Sequence, residues 1–135
     1  MARLALAAFL VALPAAAQDV PRYGDALVRE AARCSGITRA FEAHFLATEN
    51  SDAGEMSELR AEFSDIAERT ARQMSADTDT LDIEAIASTA DVETTELIDV
   101  AVNGVTIFIA SEANATLSRL TQFCEELRDI HRLGQ

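Results

Sequence analysis

Two residues, Cys34 and Cys124, restrict what this chain can become more than any others. Each falls on an apolar stripe of helical period. Leu27, Ala31, Cys34, Thr38, Phe41 and Phe45 form the first stripe, and Leu117, Leu120, Cys124, Leu127 and His131 form the second, both spaced in threes and fours. Residues at that spacing share one face of a helix, so both thiols are expected to point into a common core. A bond between them would make the first and last helices neighbours and close a loop of about ninety residues. By the chain-entropy argument, closing so long a loop stabilises the folded state by roughly 4 kcal/mol or more. There is no Cys-x-x-Cys spacing, so a redox-active role is not expected.

Whether the thiols pair depends on compartment, and the N-terminus speaks to that. Residues 1–17 read MARLALAAFLVALPAAA. Arg3 supplies a positive start, Leu4 to Leu13 an apolar run, Pro14 a break, and Ala15-Ala16-Ala17 the small residues before Gln18. This is the three-part pattern of a cleaved secretory signal, and the run is too short to cross a bilayer as a helix. The expected organisation is a leader at 1–17 followed by a single helical domain at 18–135. No cysteine sits at the expected cleavage point, so a lipoprotein anchor is not expected. The alanine-rich leader is bacterial in style, which implies a periplasmic or secreted protein. An even cysteine count in an oxidising compartment then points to one disulfide, Cys34–Cys124.

Between the two stripes the sequence predicts further helices. The first helix spans about 25–47, after an extended lead-in containing Pro21 and Gly24. Gly36 lies inside it, which suggests a bend or a close helix contact. A turn at 49–55 leads into a second helix, with Asp52 and Glu55 spaced as a capping box. That helix runs to about Met74 on the stripe Met56, Leu59, Phe63, Ile66 and Thr70. Thr80 is placed to cap a short helix at 81–87, ending in a polar break at 88–91. A second break is expected at 113–115, with Asn114 capping a last helix at 116–131.

The stretch 97–110, LIDVAVNGVTIFIA, carries two signals. Asn103-Gly104 is a hairpin signature, and Ile98, Val100, Val102, Val105, Ile107 and Ile109 would share one face of the paired strands. Against this, Glu96, Asp99, Asn103, Thr106 and Ala110 recur at helical spacing, as one narrow face of an otherwise buried helix. A lone hairpin among helices is marginal, so we adopt the buried helix. The fold class that follows is all-α, a small bundle of four or five helices with one disulfide joining the first and last.

Charge narrows the choice of partners. The net charge is −12, and all eleven basic residues are arginines. Such a chain repels phosphate backbones and anionic membrane surfaces, so a basic protein is the compatible partner. From Gln73 to Ser118 there are nine acids and no arginine. Within that segment Asp77, Asp79, Asp82, Glu84, Asp91, Glu93 and Glu96 form the candidate acidic contact surface, alongside the plain role of a solvated face that keeps the protein soluble.

Motifs that carry chemistry are missing. There is no Cys-x-x-Cys-His for haem attachment, no Glu-x-x-His pair for a di-metal site, and no Gly-x-Ser-x-Gly or phosphate-binding glycine loop. The acids at 77–84 resemble a calcium loop, but Leu81 and Asp82 occupy the fifth and sixth places, where an oxygen ligand and a glycine belong. His44 and His131 are expected to be a half-buried surface residue and a helix-end residue. We therefore expect no cofactor, no metal and no catalysis. The expected role is a non-catalytic periplasmic interaction or structural module. The alternative is an acid-responsive chaperone, a class of small exported helical proteins with which this chain shares size and disulfide but no residue pattern.

Overall fold

The computed structural model describes residues 20–74 and 82–134. Among them are four helices and no strand: α1 (Val20–Ala47), α2 (Ala53–Gln73), α3 (Ile83–Asn103) and α4 (Ile107–Leu133). The expected leader, Asp77, Asp79 and Thr80 lie outside the described residues. The helices alternate in direction. The Ser35–Ser64 and Glu42–Arg60 contacts set α2 antiparallel to α1, and the three-residue turn after Asn103 sets α4 antiparallel to α3. Cys34 and Cys124 are buried and bonded, with Cα atoms 5.7 Å apart, so the first and last helices are joined as expected.

Helix α1 is the axis of the bundle. Its expected stripe is buried or half-buried, but Val28, Ala32, Ser35, Ile37 and Ala40 are buried as well. Burial therefore covers most of the circumference, because α2 packs on one side of α1 and α3 on another. Small residues make this close packing possible. A Cβ built on Gly36 would lie 2.0 Å from the Ala87 carbonyl oxygen and 2.9 Å from the Ala90 Cβ. The close contact suggested by an internal helix glycine is where α1 and α3 cross. The polar residues of this core are satisfied locally: Thr38 Oγ1 donates to the Cys34 carbonyl at 2.8 Å, and the Ser35 and Ser64 hydroxyls pair at 2.8 Å.

Several local expectations need correction. The segment 20–24 is helical rather than extended, since proline is tolerated in a first helical turn. The capping box does not form: Asp52 makes no side-chain cap, and its N–H instead donates to Asn50 Oδ1 at 2.9 Å. Helix α1 ends in a Schellman motif. Asn50 N–H donates to the Phe45 carbonyl, Glu49 N–H donates to the Leu46 carbonyl, and Glu49 holds φ 56°.

The second half departs further. The expected break at 88–91 lies inside the continuous helix α3, because Ser88 Oγ donates to Glu84 and Thr89 Oγ1 to the Ala85 carbonyl. Bonding back one turn satisfies these hydroxyls, so a helix interior tolerates them at a small cost. The helix starts at Ile83, where the Asp82 side chain accepts from Ala85 N–H at 3.0 Å. The stretch 97–110 is neither a buried helix nor a hairpin. Asn103-Gly104 ends α3, and Thr106 caps α4 by accepting from Ile109 N–H at 3.2 Å. The helix stops where the Gly104 backbone turns extended at ψ 139°, and the position takes glycine because a Cβ there would meet the Val100 carbonyl oxygen at 2.5 Å. The expected break at 113–115 is interior to α4.

Candidate interaction surface

Where the helices place the acids decides what they can contact. The buried face of α3 is Ala87, Ala90, Thr94 and Ile98. Helical spacing puts Glu93, Glu96 and Asp99 on the solvent side, and all three are exposed. Glu84 and Asp91 lie on the flank toward α1. Arg39 donates to both Glu84 carboxylate oxygens, at 3.0 and 3.3 Å. These bonds, with one from Ser88, hold the Glu84 carboxyl below its usual range, while Glu84 and then Asp91 raise the Arg39 guanidinium. Asp82 is spent as the helix cap. The candidate surface is thus divided: Glu84 and Asp91 serve α1–α3 packing, Asp82 serves the helix start, and Glu93 and Glu96 face outward. Asp99 joins these two, and its Oδ1 accepts from Asn103 Nδ2 at 2.9 Å.

Beside these acids is a feature that sequence reasoning missed. Across the α3–α4 turn, Val102, Val105, Ile107, Phe108 and Ile109 are all exposed, with Val105 at 94%, Ile107 at 86% and Phe108 at 73%. The same turn abuts a groove of about 310 Å³ between α1 and α3. Ala40, Ala43, Ile98 and Val102 give it apolar walls, and His44, Thr95, Asp99 and Asn103 give it polar ones. The groove lies beyond the Gly36 crossing along both helices, at Ala40 to His44 of α1 and Thr95 to Asn103 of α3. An open, mostly apolar trough of this kind accepts one or two apolar side chains, with carboxylates at hand for a neighbouring cation.

The other candidates for chemistry do not come together. His44 lies at the groove, while His131 is near the far end of α4, at the opposite end of the bundle. Among the described residues no three His, Cys, Asp or Glu side chains are grouped so as to hold a metal ion. No described helix is long and apolar enough to cross a membrane. The disulfide forms one wall of a narrow crevice with Phe41, Leu59 and Phe63, with little room for a ligand. No protein-family model, curated protein or solved structure matches this chain.

Proposed function

We propose that this chain is an exported, non-catalytic interaction module of the periplasm, and that its contact surface is the outer face of α3 with the α3–α4 turn. One observation carries the proposal: between Asp82 and Ser118 the described surface combines exposed carboxylates with six exposed large apolar side chains, five of them at the α3–α4 turn, and no arginine. Folding alone gives no reason to expose them, since burying each would stabilise by about 1.5–3 kcal/mol. Exposed apolar groups rimmed by one sign of charge suit a partner of the opposite sign. The disulfide and the leader-like residues 1–17 support an oxidising compartment. The test is a pull-down from periplasmic extract at neutral pH and at about pH 3–4, where carboxylates titrate. One defined, salt-sensitive basic partner at neutral pH is expected. Retention of acidic or unrelated proteins regardless of salt would overturn the proposal.

A second reading, an acid-responsive chaperone, draws support from three ion pairs that cross between helices. Arg60 meets Glu42 at 2.6 Å, Arg39 meets Glu84 at 3.0 Å, and Arg132 meets Glu62 at 2.8 Å. Carboxylate–arginine pairs as a class are lost in strong acid. Many clients bound only in acid, with dye binding that appears only there, is the outcome this reading requires. The apolar turn is already exposed in the folded chain, which favours the first reading.

A further inference from the structure

The apolar turn and the α1–α3 groove share Val102, so they form one continuous surface running from the groove wall over the end of the bundle. Its charged surroundings on α3 and α4 are Glu93, Glu96, Asp99 and Glu112, and the first arginine along α4 is Arg119. On the α1 side Arg39 is occupied by Glu84, Arg33 pairs with Glu30 at 3.8 Å and lines crevices with Glu93 outside the groove, and His44 lies in the groove wall. The opposite end of the molecule provides an internal contrast. Ile130 and Leu133 are also exposed there, but they sit beside Arg128 and Arg132. Those arginines are paired, Arg128 with Asp129 and Arg132 with Glu62, so the far end lacks the unpaired carboxylates of the turn.

Resting on the interaction-module reading, we infer that this surface is a docking site for a basic amphipathic helix of a partner protein, one apolar side chain of which enters the groove between α1 and α3. Charge complementarity selects this occupant. An apolar anchor fits the trough formed by Ala40, Ala43, Ile98 and Val102. Lysine or arginine one turn away on the incoming helix meets Asp99 and Glu96 on the outer face of α3. Next along the partner, apolar residues cover Val105 and Phe108. A second copy is a poorer fit. The net charge of −12 sets copies against each other, and Arg132 at the far end is already bound to Glu62 at 2.9 and 2.8 Å.

The test uses the full disulfide-bonded chain and three synthetic peptides of equal length. One is a Leu/Lys peptide of helical period, one its Leu/Glu counterpart, and one a Lys/Ser peptide of the same charge without apolar residues. The Leu/Lys peptide is expected to bind and to shift the backbone amide resonances of Ala43, Ile98, Asp99, Val102, Val105 and Phe108. Val105→Ser with Phe108→Ser should weaken it tenfold or more. The distal pair Ile130→Ser with Leu133→Ser should leave it unchanged, and because all four positions are exposed, folding should survive in both variants. If the Lys/Ser peptide binds as tightly as the Leu/Lys peptide, or the Val105/Phe108 variant loses nothing, the docking site is wrong while the acidic-surface reading stands. Equal binding of the Leu/Glu peptide, or no binding of any peptide, sinks both. A mass that rises with concentration and falls in the Val105/Phe108 variant would assign the surface to a second copy and overturn the inference.

Discussion

Replacing Gly36 by alanine sets two opposing effects against each other at one position. Alanine is the better helix former by about 1 kcal/mol, so in a free helix the change stabilises. Here the new Cβ would lie 2.0 Å from the Ala87 carbonyl oxygen, well inside any real carbon–oxygen contact. The obstacle is backbone, so no rotamer change relieves it, and α1 and α3 must move apart by about 1 Å at the point where they pack most closely. Overpacking typically costs about 1–3 kcal/mol, and an overlap against main chain belongs at the upper end. Subtracting the propensity gain leaves a net loss of about 2 kcal/mol, or roughly 8 °C in Tm for a domain of this size. Gly54 is the matched control. It is also helical, but nothing lies within 4 Å of a Cβ there, so Gly54→Ala should be neutral or gain up to about 1 kcal/mol. Urea unfolding followed by far-ultraviolet circular dichroism, on the oxidised protein, reads both. If Gly36→Ala proves as stable as the parent chain, α1 and α3 do not cross at that glycine and the small-residue interface is wrong.

Other perturbations probe other links. Cys34→Ser with Cys124→Ser should cost roughly 4–5 kcal/mol by the loop-closure argument, measured by urea midpoint. Hydrogen exchange should then show α4 losing protection first, because apart from the disulfide that helix packs mainly on α3 and touches α1 at few places. Glu49→Gly should stabilise by about 0.5–1 kcal/mol, since the left-handed position that ends α1 is strained for any residue with a Cβ; a loss of stability in the same urea assay would show that the turn is not left-handed in solution. Glu84 makes a signed prediction about pH. Its folded carboxyl is held below the usual range by Arg39 and Ser88, so its stabilising contribution is present above its unfolded pKa and is lost as pH falls through the depressed folded value. Glu84→Gln should therefore lower the neutral plateau slightly and flatten the acid limb by the same small amount, leaving stability in strong acid unchanged; an unchanged acid limb counts against the pair.

The parts of the fold that were legible in the sequence are those written in one helix face. The stripe through Phe63 and Ile66, the facing cysteines and the internal Gly36 all translate directly into burial, a disulfide and a helix crossing. The breadth of α1 burial was less legible, because Ala32, Ser35 and Ala40 become core only through the third helix that packs on them. The stretch at 88–91 misleads for a definite reason: Ser88 and Thr89 resemble a break until their side chains bond back one turn. The candidate surface was half visible. The run of acids is a matter of counting, but its division between Arg39 pairing and the outer face depends on helix rotation, and so does the exposure of the apolar turn. The signal that would have located that turn is Gly104 followed by Thr106, a helix stop and an N-cap two residues apart, set in a stretch whose apolar residues otherwise suggest a core.

The central claim is that the outer face of α3 selects a partner by charge. The most direct measurement compares partner retention from periplasmic extract at neutral pH by the parent chain and by a Glu93→Gln, Glu96→Gln, Asp99→Asn variant, each in low and high salt. All three side chains are exposed, so the fold should be unaffected. If the face selects by charge, a defined partner is held by the parent in low salt, weakened in high salt, and lost by the variant in both. Equal retention by parent and variant, insensitive to salt, would contradict it.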